Sequence, residues 1–90
     1  MTIHWCGTGL SSGPGLRRLI RNGQKVVVWN RTIEKAREVV GDLTKDIRAY
    51  SLEALAAALQ PGDLAISMLP ADQHVGIAKV CLSKGAHFAS

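Results

Sequence analysis

Five short apolar runs alternate with four amphipathic segments along this chain of 90 residues, and the alternation restricts the fold more than any single motif does. The runs fall at residues 2–6, 25–29, 47–50, 63–69 and 86–89. The second is the clearest: Val26, Val27, Val28 and Trp29 are the β-branched and aromatic residues that suit a pleated, buried surface. The first mixes apolar residues with His4, as a central parallel strand buried on both faces would. The third, around Ile47 and Tyr50, reads as a short strand.

The intervening segments carry helical periodicity and end signals. Pro14 suits a helix start, where its missing N–H is not needed. Leu16, Leu19 and Ile20 then share one side, with Arg17, Arg18 and Arg21 on the other and Asn22-Gly23 as a stop. The two arginines near this helix start, Arg17 and Arg18, are expected to oppose its dipole at a small cost. Thr32 is the expected cap of a second helix bearing Ile33, Ala36, Val39 and Val40. Ser51 caps a third on Leu52, Leu55, Ala56 and Leu59, which Gln60-Pro61-Gly62 breaks. Asp72 is the expected cap of the last, which carries Val75, Ala78, Cys81 and Leu82 and stops at Lys84-Gly85. Strands alternating with helices in this way give a parallel sheet with right-handed crossovers.

The connection after the first strand narrows the topology. Gly7-Thr8-Gly9 is a tight turn, with Gly13 four residues on and Ser12 where a third fingerprint glycine would fall. Glycine takes backbone angles that other residues avoid, and it lets a bound group approach the main chain. A helix that follows such a turn aims free N–H groups and the positive end of its dipole at the turn's mouth, which suits a phosphate. Gly7, Thr8, Gly9, Leu10, Ser11 and Ser12 are therefore the expected phosphate-cradling segment. The expected architecture is α/β, a Rossmann-type doubly wound parallel sheet of five strands in order 3-2-1-4-5, ending after the fifth strand. One domain spans residues 1–90.

In this fold the tip of the second strand faces the adenosine ribose, where an acid selects NAD and an arginine accommodates the 2′-phosphate of NADP. Here the tip reads Asn30-Arg31-Thr32: a neutral residue, a planar fork of donors and a hydroxyl. NADP is the expected cofactor. Met68, Leu69 and Pro70 end the fourth strand beside the switch point, where their backbone would run along the nicotinamide half.

Other function classes find little support. The net charge is +4, but only Arg17, Arg18 and Arg21 cluster, which favours a small anionic ligand over nucleic acid. No run approaches the ~20 apolar residues of a membrane span, and no leader segment is visible. Cys6 and Cys81, without a CxxC pairing, suggest ordinary buried thiols in a reducing, cytoplasmic setting. Metal ligands are scattered, and no catalytic set is seen. His4 is expected to be a hydrogen-bonded core residue and Cys6 a packing residue, and His87 falls in the fifth strand. His74, close to Pro70, is within reach of a cofactor.

With these residues in view, the chain resembles the nucleotide-binding half of saccharopine dehydrogenase-like reductases. The matching pieces are Gly7-Thr8-Gly9, Asn30-Arg31-Thr32, Ser67-Met68-Leu69-Pro70 with His74, and the strand Ala86-His87-Phe88-Ala89-Ser90. The stretch Leu10-Ser11-Ser12-Gly13-Pro14-Gly15 departs from the commoner family form. The resemblance implies a fragment of a longer enzyme that uses NAD(P)H to reduce an imine formed from an aldehyde and an amino acid, as in lysine metabolism. It places the small-molecule substrate in a domain beyond Ser90, so that these residues bind cofactor without turnover. Asn-Arg-Thr at this place also occurs in hydroxyacid and shikimate dehydrogenases. A regulatory nucleotide-sensing domain without catalysis is the rival from another class. The open edge of the fifth strand, with Phe88, makes a homodimer through that strand or a nearby apolar face a further expectation.

Overall fold

A computed structural model describes residues 1–8 and 13–90. Strands and helices alternate along the described residues: β1 (Ile3–Cys6), α1 (Gly13–Arg21), β2 (Val26–Asn30), α2 (Ile33–Val40), β3 (Ile47–Ala49), α3 (Leu52–Ala58), β4 (Leu64–Ser67), α4 (Ala71–Lys84) and β5 (His87–Ala89). The five strands form one parallel sheet in the order β3-β2-β1-β4-β5, as the alternation and the glycine turn require. β1 lies at the centre, with Ile3 opposite Val26 and Leu64, and Cys6 opposite Trp29 and Ser67.

The sheet separates two apolar layers. Ile3, Trp5, Val26 and Val28 turn toward Leu16 of α1 and Ala36 and Val40 of α2. Cys6, Val27, Trp29 and Ala65 turn toward Leu55 and Leu59 beside α3 and toward Ile77 and Cys81 of α4. Both faces of β1 are thus covered, which is why its four residues are all buried. Each fully buried aliphatic side chain contributes roughly 1.5–3 kcal/mol, so these layers dominate the stability of the fold. His4 sits in this core with both ring nitrogens hydrogen-bonded, to Trp29 and to Asp63.

The helix ends bear out some capping expectations and correct others. Ser51 accepts from the amide of Ala54 at 3.1 Å, as an N-cap serine should. At the end of α1, Gly23 has φ +83°; its N–H bonds Ile20 and that of Gln24 bonds Leu19, closing the helix in a Schellman turn. Thr32 occupies the cap position of α2, yet its side chain makes no cap bond. Asp72 is not the cap of α4: that position belongs to Pro70, and Asp72 lies inside the first turn, where its charge favours the helix dipole. Arg18 lies with Arg21 in the last turn of α1, where a cation is favourable, so the dipole penalty expected of Arg17 and Arg18 does not arise for Arg18. Among the described residues no helix is long and apolar enough to cross a membrane.

Candidate functional site

Because all five strands run the same way, their C-terminal ends open on one edge of the sheet. The three central exits are tied together there. Gly7 donates its N–H to the Trp29 carbonyl at 2.8 Å, and Met68 donates to the Cys6 carbonyl at 2.7 Å. Gly7 has φ +93°, and a Cβ on it would stand 3.0 Å from the Met68 carbonyl carbon and 3.1 Å from the Leu69 nitrogen. Glycine is needed here on two counts, left-handed backbone and the close passage of the β4 exit. A Cβ on Gly13 would meet Val39 Cγ1 at 3.3 Å, so a glycine at 13 lets the start of α1 sit closely on α2. Thr8 is half-buried beyond β1, while Gly9, Leu10, Ser11 and Ser12 lie outside the described residues.

At the β2 exit the Asn30 amide nitrogen donates to the Thr32 carbonyl at 2.8 Å. That bond folds the side chain over its own loop and braces the turn into α2. Arg31 and Thr32 are exposed. The ion pairs among the described residues are His4–Asp63 and Arg48–Asp46, so Arg31 is not committed to a carboxylate. Tyr50 follows β3 and donates its N–H to the Asn30 carbonyl at 2.9 Å. Burial raises the pKa of its phenol, Cys6 and Glu53 push the same way, and the positive charge of Arg31 opposes them. Tyr50 thus belongs to the neighbourhood of Arg31. Read in the sequence it only ends a strand, and nothing short of the β2–β3 register brings it there.

At the β4 exit Met68 is exposed, Leu69 packs partly against the α3/α4 layer, and Pro70 opens α4. His74, one turn into α4, places Nε2 2.9 Å from the Leu69 carbonyl, and its ring meets Phe88 edge-on. With Nε2 donating to that carbonyl, His74 acts as a brace for the exit loop. Ser67 is sealed beneath the loop, its hydroxyl without a partner among the described residues. Arg18 and Arg21, near the far end of α1, stand ~1.5 Å per residue along the axis from its N-terminus, well away from the strand exits.

Burial, and then the second thiol at Cys81, push the pKa of Cys6 up to about 12, so it remains a protonated packing group. No three His, Cys, Asp or Glu side chains among the described residues gather as metal ligands. A cavity of ≈ 480 Å³ lies at the C-terminal end of α2, lined by Arg37, Gly41, Asp42, Thr44 and Lys45, on a different part of the surface from the strand exits. In an open α/β sheet of this order a ligand is expected outside the carboxyl ends of the strands, at the switch point between β1 and β4.

Residues 3–90 match the family model of the saccharopine dehydrogenase NADP binding domain. The chain belongs to the saccharopine dehydrogenase family. Among solved structures, apo histidine-tagged saccharopine dehydrogenase (L-Glu forming) from Saccharomyces cerevisiae has the same fold, with a TM-score of 0.80 and 20% identity over 97% of this chain. The chain spans 20% of the length of that protein. A search of curated proteins returns no match.

A saccharopine dehydrogenase NADP binding domain takes NADP, and the described residues fit that cofactor. α1 carries no acid in its first turn, so no carboxylate opposes a phosphate at its N-terminus. The β2 exit offers an uncommitted guanidinium and a neutral amide where an acid would repel a 2′-phosphate.

Proposed function

We propose that this domain binds NADPH across the strand exits and serves as the cofactor-holding part of a longer oxidoreductase. In this reading Gly7, Thr8, Gly9, Leu10, Ser11 and Ser12 line the pyrophosphate. Asn30, Arg31 and Thr32 hold the adenosine ribose and its 2′-phosphate, and Met68, Leu69 and Pro70 flank the nicotinamide. NADPH supplies a hydride, and the substrate is an imine formed between an aldehyde and an amino acid, whose carbon takes the hydride while its nitrogen takes a proton. The domain's own residues bind and orient: the Asn30–Thr32 bond stiffens the loop that carries Arg31, and His74 fixes the Leu69 carbonyl and with it the β4 exit. In this reading proton transfer falls to residues outside the domain.

One observation carries the cofactor reading: the exposed, unpaired Arg31 beside the turned-back Asn30. Titration calorimetry with NADPH and NADH tests it. NADPH is expected to bind more tightly, and Arg31→Ala to remove most of the difference while leaving NADH nearly unchanged. Equal affinities in the unmodified protein would end the assignment.

A further inference from the structure

The register of β2 on β3 brings a phenol to the end of the sheet where the adenosine ribose is expected. Asn30 stands opposite Ala49 in the parallel pair. The next amide along, that of Tyr50, donates to the Asn30 carbonyl at 2.9 Å. Tyr50 is thereby held just past β3, beside the loop of Asn30, Arg31 and Thr32. Its ring packs against the layer that contains Cys6, Trp29 and Leu55. Its hydroxyl donates to no acceptor among the described residues, yet it is not sealed in as the hydroxyl of Ser67 is. A ring anchored by packing with its O–H unspent is a donor already in position.

Electrostatics locates the hydroxyl more closely. The positive charge of Arg31 acts on the phenol from the β2 exit, and Cys6, the last residue of β1, acts on it as well. The phenol therefore faces the stretch between the ribose end of the site and the glycine turn after β1. Glu53 is also felt, but it is exposed in the first turn of α3 and takes no hydrogen bond from the phenol. Arg48, two residues back on β3, is occupied: it pairs with Asp46 and lies 5.5 Å over the Trp29 ring. Arg31 is the cation left to act with Tyr50.

The two side chains suit different parts of one group. A 2′-phosphate presents three terminal oxygens. A guanidinium fork takes two of them side by side and leaves the third unpartnered. A neutral O–H arriving from β3 supplies the missing donor. NADH carries a hydroxyl at that place and has no such oxygen to offer.

We infer that Tyr50 is a specificity-determining residue, whose phenol donates to the 2′-phosphate of NADPH beside Arg31 while its main-chain N–H braces the loop that carries Arg31. The inference rests on the cofactor reading proposed above.

Tyr50→Phe keeps the ring and the main-chain bond and removes only the hydroxyl. Titration calorimetry of the 90-residue chain should show NADPH affinity about tenfold lower in this variant, with NADH changed less than about twofold. Circular dichroism melts should match those of the unmodified protein. Tyr50 is the only tyrosine in the chain, so labelling tyrosine with carbon-13 at Cζ gives one resonance that reports on its hydroxyl. Adenosine 2′,5′-bisphosphate should move that resonance far more than adenosine 5′-phosphate does. Equal binding of NADPH and NADH by the unmodified protein would end the cofactor reading and this inference with it. A preference for NADPH that survives Tyr50→Phe in full would overturn this inference alone. So would a variant that loses both cofactors equally, or a resonance that moves alike with the two adenosine phosphates.

Discussion

Trp29 donates its indole N–H to Nδ1 of His4 across 3.1 Å, and this bond decides where the imidazole proton resides. An indole nitrogen only donates, so Nδ1 accepts and Nε2 carries the hydrogen. Nε2 reaches Oδ2 of Asp63 at 3.1 Å, and the same carboxylate takes the amides of Thr2 at 2.9 Å and Gln60 at 3.0 Å. Burial opposes ionisation of Asp63, but the Thr2 and Gln60 amides and His4 outweigh it and hold its pKa below the ordinary value. A carboxyl depressed in the folded state stabilises the fold above its unfolded pKa of ~3.9, and the contribution is lost as pH falls through the folded value. Urea unfolding at a series of pH values should show little Asp63-linked change near neutrality and falling stability below about pH 4. Asp63→Asn should cost about 1.5–3 kcal/mol at pH 7 and flatten the acid limb. An unchanged acid limb in the variant would show that Asp63 is not the group responsible.

Gly7 and Gly23 separate backbone strain from crowding. Both have positive φ, at +93° and +83°, but a Cβ on Gly7 would press the Met68–Leu69 backbone while one on Gly23 meets nothing within 4 Å. Gly23→Ala should cost about 1–2 kcal/mol, the left-handed penalty alone. Gly7→Ala should cost clearly more and disturb the β4 exit, lowering cofactor affinity as well. Denaturation midpoints and NADPH titrations of the two variants decide it, and equal losses would count against the close passage at Gly7.

Thiol chemistry should be slow in the folded protein. Cys6 and Cys81 are buried free cysteines; burial raises the Cys81 pKa, and Cys6 lies at about 12. Because the thiolate is the reactive form, an aromatic disulfide reagent at pH 8 should label neither thiol at an appreciable rate until denaturant is added. Rapid labelling of the native chain would contradict the packing role given to Cys6.

The cofactor preference should be adjustable at the β2 exit. Charge-assisted hydrogen bonds of about 1.5–3 kcal/mol from Arg31 amount to a roughly ten- to hundredfold preference for NADPH over NADH. Asn30→Asp combined with Arg31→Ala should reverse it, since the carboxylate repels a 2′-phosphate and accepts from the ribose hydroxyls. Added salt should weaken NADPH more than NADH in the unmodified protein. Calorimetry across a salt series checks both, and a double variant that still favours NADPH would show that the phosphate is held elsewhere.

Strand order and the two faces of the sheet were legible in the sequence because both follow from local patterns: β-branched runs, helical periodicity and glycine stops. Gly23 and Ser51 behave as such signals require. The capping errors at Thr32 and Asp72 have local causes as well. The Asn30 amide takes the Thr32 carbonyl and shapes the loop without the Thr32 hydroxyl, and Pro70, excluded from a helix interior, fixes the start of α4 two residues earlier than an Asp72 cap would allow. At the candidate site, Asn30, Arg31 and the β4 exit could be singled out because each ends or directly follows a recognisable strand. Tyr50 and the Asp63–His4–Trp29 chain were not, since their bonds join residues up to 59 apart and depend on strand register.

The central position of β1 also governs the order in which this protein can assemble. Of the five described strands it precedes the others, so it can zip onto β2 soon after residue 30 emerges, but its other edge must wait for β4, and one bond that joins the two edges, from Thr2 to Asp63, spans 61 residues. Until then β1, with Ile3, Trp5 and Cys6, has one side open. Closure of that long loop is the slow, entropy-limited event of folding, and the first half of the polypeptide passes its most aggregation-prone moments before the second half arrives.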